Sequence, residues 1–302
     1  MKGEFNVKAE QGVAARNGGR ARPHAAADGK LKAEIVRKAK DFGANLVGVA
    51  SVARWEEAGE VPADYRPQAI FAGTRSVVVV AVPMLLPIIE STPSINYQEM
   101  YNASNRLLDE ISFRLASWLT ANGHASLCMP RDGYSSLEAL LKNPFGSFSH
   151  TYAGKYAGLG TVGLSRNLLV PDYGPRLRLN SVLTSAVLPA DPLQPEELCN
   201  SCRLCERACP TGAIRSRNDG VIGDLDKTAC TQHHITLRKE GHWPCGICAK
   251  VCPEGADRKL YKIKAGKRYL DEPAAIADNP DDPRFRHLVH LRRHGSTGDR
   301  LA

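Results

Sequence analysis

The sequence predicts an α+β protein in which a layered core of helices and strands precedes a small cysteine-rich module. Apolar residues recur at helical spacing in segments that begin near Leu31 and Gln98. The β-branched run 76–82 is long enough for a central strand covered on both faces. Eight of the nine cysteines lie between Cys199 and Cys252. Strands separated by helices are typical of layered domains rather than of bundles or sandwiches.

The elements of the predicted core follow from apolar periodicity and from the glycines and prolines that end each segment. Gly43 and Gly123 are placed to end the two helices. We predict helices over 31–42 and 98–122, and strands over 46–50, 76–82, 125–129 and 177–188.

Composition and charge divide the chain into four segments: a flexible basic tail over 1–29, a core over 30–190, a cysteine module over 191–262 and a basic C-terminal tail over 263–302. The net charge is +8, but residues 43–257 carry nineteen Lys and Arg against twenty-one Asp and Glu. A slightly acidic body argues against a nucleic-acid partner. Thiols crowded into one stretch indicate a reducing, cytoplasmic compartment, and no segment is apolar enough to span a membrane.

The first half of the cysteine module carries a run that is typical of a 4Fe-4S ligand loop. Cys199, Cys202, Cys205 and Cys209 precede Pro210 in the pattern C-x2-C-x2-C-x3-C-P. Three thiolates spaced three residues apart on a tight loop can reach three irons of one cube, while the fourth points away. Zinc sites usually draw on separated cysteine pairs, which makes zinc the weaker alternative.

A shorter run predicts a second cluster. Cys245, Cys248 and Cys252 precede Pro253. In two-cluster ferredoxins the fourth cysteine of each run binds the other cluster. The same exchange here gives Cys252 to the first cluster and Cys209 to the second.

The second cluster then lacks one ligand. Cys230 is the favoured candidate, because thiolate is the usual cubane ligand. The alternative is His242, three residues before Cys245, where a complete run would place its first cysteine.

A glycine-rich loop precedes the module. Gly158, Gly160 and Gly163 match G-x-G-x-x-G, but a dinucleotide fingerprint follows a strand, opens a helix and has an acidic residue about 20 positions later. Here a helix precedes the glycines and a strand follows them. We therefore expect a loop whose backbone closely approaches a flat ligand or another chain segment.

Together these motifs resemble the epoxyqueuosine reductases and, more distantly, the corrinoid reductive dehalogenases. The resemblance covers about residues 31–262. It is carried by the isolated Cys230, by the two cysteine runs and by four short segments: Ala157-Gly158-Leu159-Gly160 with Gly163, Leu168-Leu169-Val170, Tyr173-Gly174-Pro175-Arg176, and Val182-Leu183-Thr184.

The resemblance implies a nitroreductase-like α/β core that binds cobalamin, and a bacterial ferredoxin-like module whose two 4Fe-4S clusters deliver electrons to the cobalt. It also suggests residues that contact the corrinoid: Gly158, Leu159, Gly160, Gly163, Tyr173, Gly174 and Arg176. Arg178 is a further candidate contact. The physiological electron donor would be a ferredoxin or flavodoxin.

Reduction at carbon also requires a proton. Epoxyqueuosine reductases carry a catalytic Asp before the A-G-L-G run, whereas residues 143–150 contain no acid here. The candidate proton donors are therefore residues in the neighbouring sequence: Asp132, Tyr134, His150, Tyr152 and Tyr156.

A lone cysteine and three histidines could be taken for reactive or metal-binding groups, but we expect them to have structural roles. Cys128, at the end of an apolar strand, is expected to be a buried small hydrophobe. His287, His290 and His294 share a helical face, but no Cys, Asp or Glu completes a metal site, and we expect a solvated helix.

Three functions remain. The preferred hypothesis is a cobalamin-dependent reductase of a small molecule. It requires a cavity large enough for a corrin beside Gly158–Gly163. The alternatives are a 4Fe-4S electron-transfer protein without corrinoid, in which side chains would fill that cavity, and an epoxyqueuosine reductase that acts on tRNA.

Overall fold

The structure is a computed structural model, and it describes residues 28–263, 266 and 268–294. The tail predicted over 1–29 falls outside these ranges except for its last two residues. Twenty-one α-helices and β-strands and one 3-10 helix, Ala63–Tyr65, follow in chain order over the described residues. In the core they are α1 (Gly29–Asp41), β1 (Leu46–Ser51), α2 (Ala53–Ala58), α3 (Pro67–Ile70), β2 (Ser76–Pro83), α4 (Leu86–Ile89), α5 (Ile95–Ala121), β3 (Ser126–Cys128), α6 (Leu137–Lys142), α7 (His150–Tyr156), β4 (Thr161–Val162), β5 (Leu168–Leu169) and β6 (Leu177–Thr184).

The second part of the chain is built from short elements. They are α8 (Leu204–Arg207), β7 (Ile214–Arg215), β8 (Asp224–Leu225), α9 (Lys227–Lys239), α10 (Ile247–Lys250), α11 (Asp257–Leu260), α12 (Arg268–Asp278) and α13 (Arg286–Arg293). A mixed helix and sheet core followed by a cysteine module confirms the predicted α+β class.

The core is organised on a four-stranded antiparallel sheet in the order β1-β2-β6-β3. Residues 76–82 of β2 are all buried, and Val79 lies opposite Gly48 on one side and Ser181 on the other. The prediction of a doubly covered central strand is confirmed.

Helices cover both faces of this sheet. On one face, Leu108, Ile111 and Leu115 of α5 pack against Val78 and Val80. On the opposite face, Val77 and Val79 pack with Trp55 and with the α7 residues Ala153 and Tyr156. Alternate valines of β2 therefore lie on opposite faces of the sheet and pack into two separate cores. This packing holds the sheet between α5 and α7.

Within the range 263–302, which the sequence predicted to be a basic tail, the described residues 268–294 contain two packed helices. Ile276 of α12 packs with Phe285, Leu288 and Val289. Glu272 is buried and accepts hydrogen bonds from two cations, Lys250 and Arg292. Charge pairs of this kind are not apparent from composition, because their partners lie in separate elements.

Within the described ranges, no helix combines the length and apolar character that crossing a bilayer requires.

Candidate functional site

Four cysteines from the two runs converge at one end of the module. Burial raises the pKa of the Cys205 thiol to about 12, and Cys248, Cys252, Cys199 and Cys202 all lie near enough to raise it further. Cys199, Cys202, Cys205 and Cys252 line one small pocket, together with Cys248. We call Cys199, Cys202, Cys205 and Cys252 the first group.

The other four cysteines converge beside it. Burial raises the pKa of the Cys230 thiol to about 12, and its closest charged neighbours include Cys248 and Cys209. Cys245 lies near Cys248, Cys230 and Cys209. These residues form the second group, and all four line a larger cavity.

Cys252 thus lies with the first group and Cys209 with the second, while their exchange as cluster ligands stays a prediction. His242 lies elsewhere: its side chain is 1% exposed and its Nε2 is 3.1 Å from the carbonyl oxygen of Arg292. Among the described residues, no set of three or more His, Cys, Asp or Glu is arranged around a single ion. A zinc ion at about 2.3 Å from each sulfur needs closely gathered thiolates, whereas a cubane spreads them over four irons.

Each run bends in the same way around its group. Arg203 follows Cys202 with φ 59°, and Gly246 follows Cys245 with φ 69°; each precedes a short helix. A left-handed residue reverses the chain so that the next cysteine faces the same centre. At Gly246 there is a second constraint, because a Cβ would lie 2.6 Å from the ring of Tyr97.

The cavity beside the second group has a volume of about 800 Å³ and lies between the core and the module. Its core wall comes from α5, the segment 131–152 and the start of β6. Tyr97 is 4% exposed and lies near Cys245 and Cys248. Burial raises the pKa of Tyr97, so its hydroxyl stays protonated.

A polar corner of the cavity is organised by Asp132. Oδ1 of Asp132 accepts a hydrogen bond of 2.6 Å from Arg178 and one of 3.0 Å from the hydroxyl of Tyr101. The Arg178 guanidinium lies 4.4 Å from the centre of the Tyr101 ring. Burial raises the pKa of Tyr101, while Arg178 opposes the shift. The Tyr101 hydroxyl therefore stays protonated, with its hydrogen directed at Asp132.

The structure brings four of the five candidate proton donors to this cavity: Asp132, Tyr134, His150 and Tyr152. His150 is held through both nitrogens, with Nδ1 2.9 Å from Ser181 Oγ and Nε2 3.1 Å from the Pro130 carbonyl oxygen. Burial lowers its pKa to about 4. A neutral, doubly bonded imidazole is poorly suited to donate a proton.

Tyr156 is placed differently. It is not among the residues that line the cavity. Its hydroxyl donates a hydrogen bond of 3.0 Å to Glu60, and its ring packs on Trp55 with 4.8 Å between centroids. Its place in the core on the α7 side of the sheet indicates a structural role.

The glycine loop approaches the chain itself. A Cβ at Gly158 would overlap the carbonyl oxygen of Pro192, and one at Gly160 would overlap that of Leu169. Leu159 packs against the core. None of these residues lines the cavity, and their predicted contact with a flat cofactor stays a prediction. At Gly158 and Gly160 the backbone that approaches closely belongs to another segment of the chain.

The Tyr173–Arg176 segment joins the core to the module. Arg176 is 0% exposed, and its guanidinium donates hydrogen bonds of 2.7 and 2.6 Å to Asp257. It also donates to the carbonyl oxygen of Cys252 at 3.1 Å. A Cβ at Gly174 would overlap the backbone of Glu254. Tyr173, Gly174 and Arg176 lie outside the cavity lining, and their predicted corrinoid contacts stay a prediction.

Tyr97, Tyr101 and Trp243 are cavity residues that the sequence did not reveal. The two tyrosines are four residues apart and therefore share a face of α5. Their helical spacing was visible, but which face meets the module depends on tertiary packing.

Known proteins share parts of this sequence. Residues 198–256 match the 4Fe-4S dicluster domain family. Two similar curated proteins are the epoxyqueuosine reductases of Synechococcus sp. (strain RCC307), 36% identical over 107 residues, and of Bacillus anthracis, 25% identical over 268 residues. The chain is an iron–sulfur protein that resembles epoxyqueuosine reductases.

These alignments cover 32% and 74% of this chain, and 31% and 64% of the respective relatives. The chain thus spans less than two thirds of the length of these two relatives.

Solved structures show the same fold at low identity. A catabolic reductive dehalogenase in complex with 3-bromo-4-hydroxybenzoic acid has a TM-score of 0.60 at 22% identity, covering 88% of this chain and 38% of that one. An epoxyqueuosine reductase with a tRNA stem loop has a TM-score of 0.53 at 19% identity, covering 78% and 66%. Because a similar protein binds tRNA, the comparison does not support the expectation that nucleic acid is not a partner.

Proposed function

We propose that this protein is an iron–sulfur reductase that uses a corrinoid held in the cavity beside the second cysteine group. The observation that best supports this proposal is the position of that cavity. It is about 800 Å³ in volume, and all four cysteines of the second group contribute to its lining. Val162 is the one residue of Gly158–Gly163, the segment beside which a cavity was predicted, that lines this space, and the space includes the volume that the second cluster itself would fill.

The cysteine groups are proposed as the ligands of two 4Fe-4S clusters. Cys199, Cys202, Cys205 and Cys252 would hold the first; Cys209, Cys230, Cys245 and Cys248 would hold the second. Cys202 is exposed, so the first cluster lies on the solvent side, and the second borders the cavity. Electrons from a ferredoxin or flavodoxin would enter at the first cluster and leave at the second.

The residues around the cavity fit a large cofactor with a polar periphery. Aromatic rings of Tyr97, Trp243 and Phe145 supply apolar wall. Lys227 and Arg166 also line it, and each donates to a backbone carbonyl oxygen, of Pro144 and Gly223 respectively. Neither has a carboxylate partner within the part of the chain that the structure describes. Two unneutralised cations can hold an anionic group such as the phosphate of a cobalamin.

Bound there, a corrinoid would supply a cobalt that accepts single electrons, which matches the one-electron chemistry of a cubane. The chain's own contribution is to hold the substrate and supply the proton. Tyr101 would donate its hydroxyl proton to the substrate. Arg178 would stabilise the resulting tyrosinate, and Asp132 would position both groups. Tyr134 and Tyr152 would shape the remaining wall.

The substrate is proposed to be a small organic molecule, and the domain plan to be a nitroreductase-like core over 30–190 with a ferredoxin-like module over 191–262. A cytoplasmic location is the corresponding expectation for a protein with eight cluster cysteines.

Reduction of epoxyqueuosine in tRNA is the second candidate. It is favoured by the similarity to epoxyqueuosine reductases and by the tRNA stem loop in a similar structure. The absence of an acid over 143–150 is less of an obstacle than the sequence suggested, because Asp132 brings a carboxylate to the cavity from an earlier segment.

One assay separates the two candidates. The protein is reconstituted anaerobically with iron, sulfide and cobalamin, supplied with reduced flavodoxin, and incubated with tRNA that carries epoxyqueuosine. Mass spectrometry of the digested tRNA then measures queuosine. We expect no queuosine from a protein that has retained cobalt; its formation would replace the first candidate by the second.

A further inference from the structure

We propose that Asn167 raises the reduction potential of the second cluster through an N–H···S hydrogen bond. The inference rests on the proposed ligand set. Nδ2 of Asn167 lies 3.4 Å from the sulfur of Cys248, which is within hydrogen-bond range for sulfur. Asn167 is half-buried and also lines the cavity. It therefore lies where the second group meets the proposed corrinoid site.

Gly163, the last glycine of the G-x-G-x-x-G motif, belongs to the hairpin that positions Asn167. β4 and β5 form a hairpin whose turn is closed by hydrogen bonds from Gly163 N to Asn167 O, at 3.0 Å, and from Arg166 N to Gly163 O, at 2.8 Å. A Cβ at Gly163 would lie 3.3 Å from the sulfur of Cys199. The hairpin of the core thus touches the first group through Gly163 and the second through Asn167.

The amide of Asn167 is held in place by its own neighbours. Nδ2 also donates to Ser165 Oγ at 3.0 Å, so its two hydrogens have separate acceptors. A donor fixed by the turn needs little reorganisation when the charge on the sulfur changes.

The direction of the effect follows from charge. Reduction adds one electron to the cluster and increases the negative charge on its sulfur ligands. A fixed N–H dipole stabilises that charge, and hydrogen bonds to the sulfurs are among the factors that set cluster potentials. Asn167 therefore favours the reduced form of the second cluster.

The two cysteine groups differ in the side-chain donors that contact their sulfur atoms. Thr211 Oγ1 lies 3.6 Å from Cys209 Sγ, which gives the second group another side-chain contact. Over residues 28–263, 266 and 268–294, no side-chain donor contacts a sulfur of the first group. The Asn167 donor therefore acts on the second cluster and not on the first.

The test is a redox titration of the reconstituted protein followed by electron paramagnetic resonance. Asn167→Leu keeps the side-chain size but removes the donor. We expect the potential of the second cluster to become more negative by about 59 mV, the equivalent of a tenfold change for a one-electron couple. The first cluster is the internal control, and Asn143→Leu, at an exposed asparagine, is the matched variant. The second cluster is identified as the one lost in Cys230→Ser.

A second measurement needs no substitution. Wild-type protein labelled with ¹⁵N-asparagine should show a nitrogen coupling to the reduced second cluster. Unchanged potentials in Asn167→Leu with both clusters assembled, or no nitrogen coupling, would overturn the inference. Failure of the wild-type protein to assemble two clusters would instead contradict the proposed function.

Discussion

The hydroxyl of Tyr101 donates a hydrogen bond of 3.0 Å to Asp132, and the same carboxylate oxygen accepts one of 2.6 Å from Arg178. The three groups come from α5, from the segment after β3 and from β6. Each is remote from the others in sequence, and the sheet brings them to one corner of the cavity.

Replacing Tyr101 by Phe should lower substrate turnover by about 10²- to 10⁴-fold, the usual contribution of a positioned acid. Cluster and cobalt contents should not change, because only one hydroxyl is removed. Tyr261→Phe is the matched control, since Tyr261 is 44% exposed and outside the cavity lining. Equal turnover in both variants would exclude Tyr101 as the proton donor.

The ligand of the second cluster can be decided by iron content. Cys230→Ser should lose one cluster and about half of the iron. His242→Ala should keep both clusters and lower the free energy of unfolding by about 1–3 kcal/mol, because it leaves the carbonyl oxygen of Arg292 without this partner. Loss of a cluster in His242→Ala alone would show that histidine is the ligand.

Gly160→Ala should destabilise the protein by about 1–3 kcal/mol or more, because its Cβ would overlap the backbone of Leu169, which cannot move aside. Thermal unfolding measures this effect. Gly73→Ala is the control: its nearest neighbour is the Phe71 side chain at 3.5 Å. A stable Gly160→Ala variant that loses only cobalt would restore the glycine to the cofactor site.

Asp257→Asn tests whether Arg176 is an anchor. Breaking a buried ion pair costs about 3–5 kcal/mol, and both partners are buried here. Chemical denaturation should show this loss. Asp219→Asn, in an exposed pair with Arg217, should change little. If Asp257→Asn left stability unaltered, Arg176 would not be what joins the core to the module.

Stability should fall in mild acid because of His150. Its pKa is about 4 in the folded protein against an ordinary 6.5, so between these values the unfolded chain binds more protons. The contribution is fully present above pH 6.5 and is lost as the pH falls towards 4. His150→Gln should flatten this part of the stability profile, whereas His124→Gln should not. A folded-state pKa near 6.5, measured by NMR, would refute the account.

The sequence was sufficient for features that depend on local spacing. The β-branched run 76–82 identified the central strand, and two cysteine runs identified the dicluster domain. The proximity of Tyr97 to Cys248 and the Arg176–Asp257 ion pair both arise where the module packs against the core. No local sequence pattern predicts that packing. The glycine motif shows most clearly what the sequence could not predict. Close approach of the backbone was expected, but the group approached at Gly160, the carbonyl oxygen of Leu169, could not be identified.

The corrinoid site is tested most directly by the cobalt content of the protein. After anaerobic reconstitution with iron, sulfide and cobalamin, the protein is desalted, and its cobalt is quantified together with the cobalt(II) resonance spectrum. We expect close to one cobalt per chain, with both clusters assembled. Protein that contains the iron of both clusters but retains no cobalt would contradict a corrinoid in the cavity and would leave an electron-transfer protein in its place.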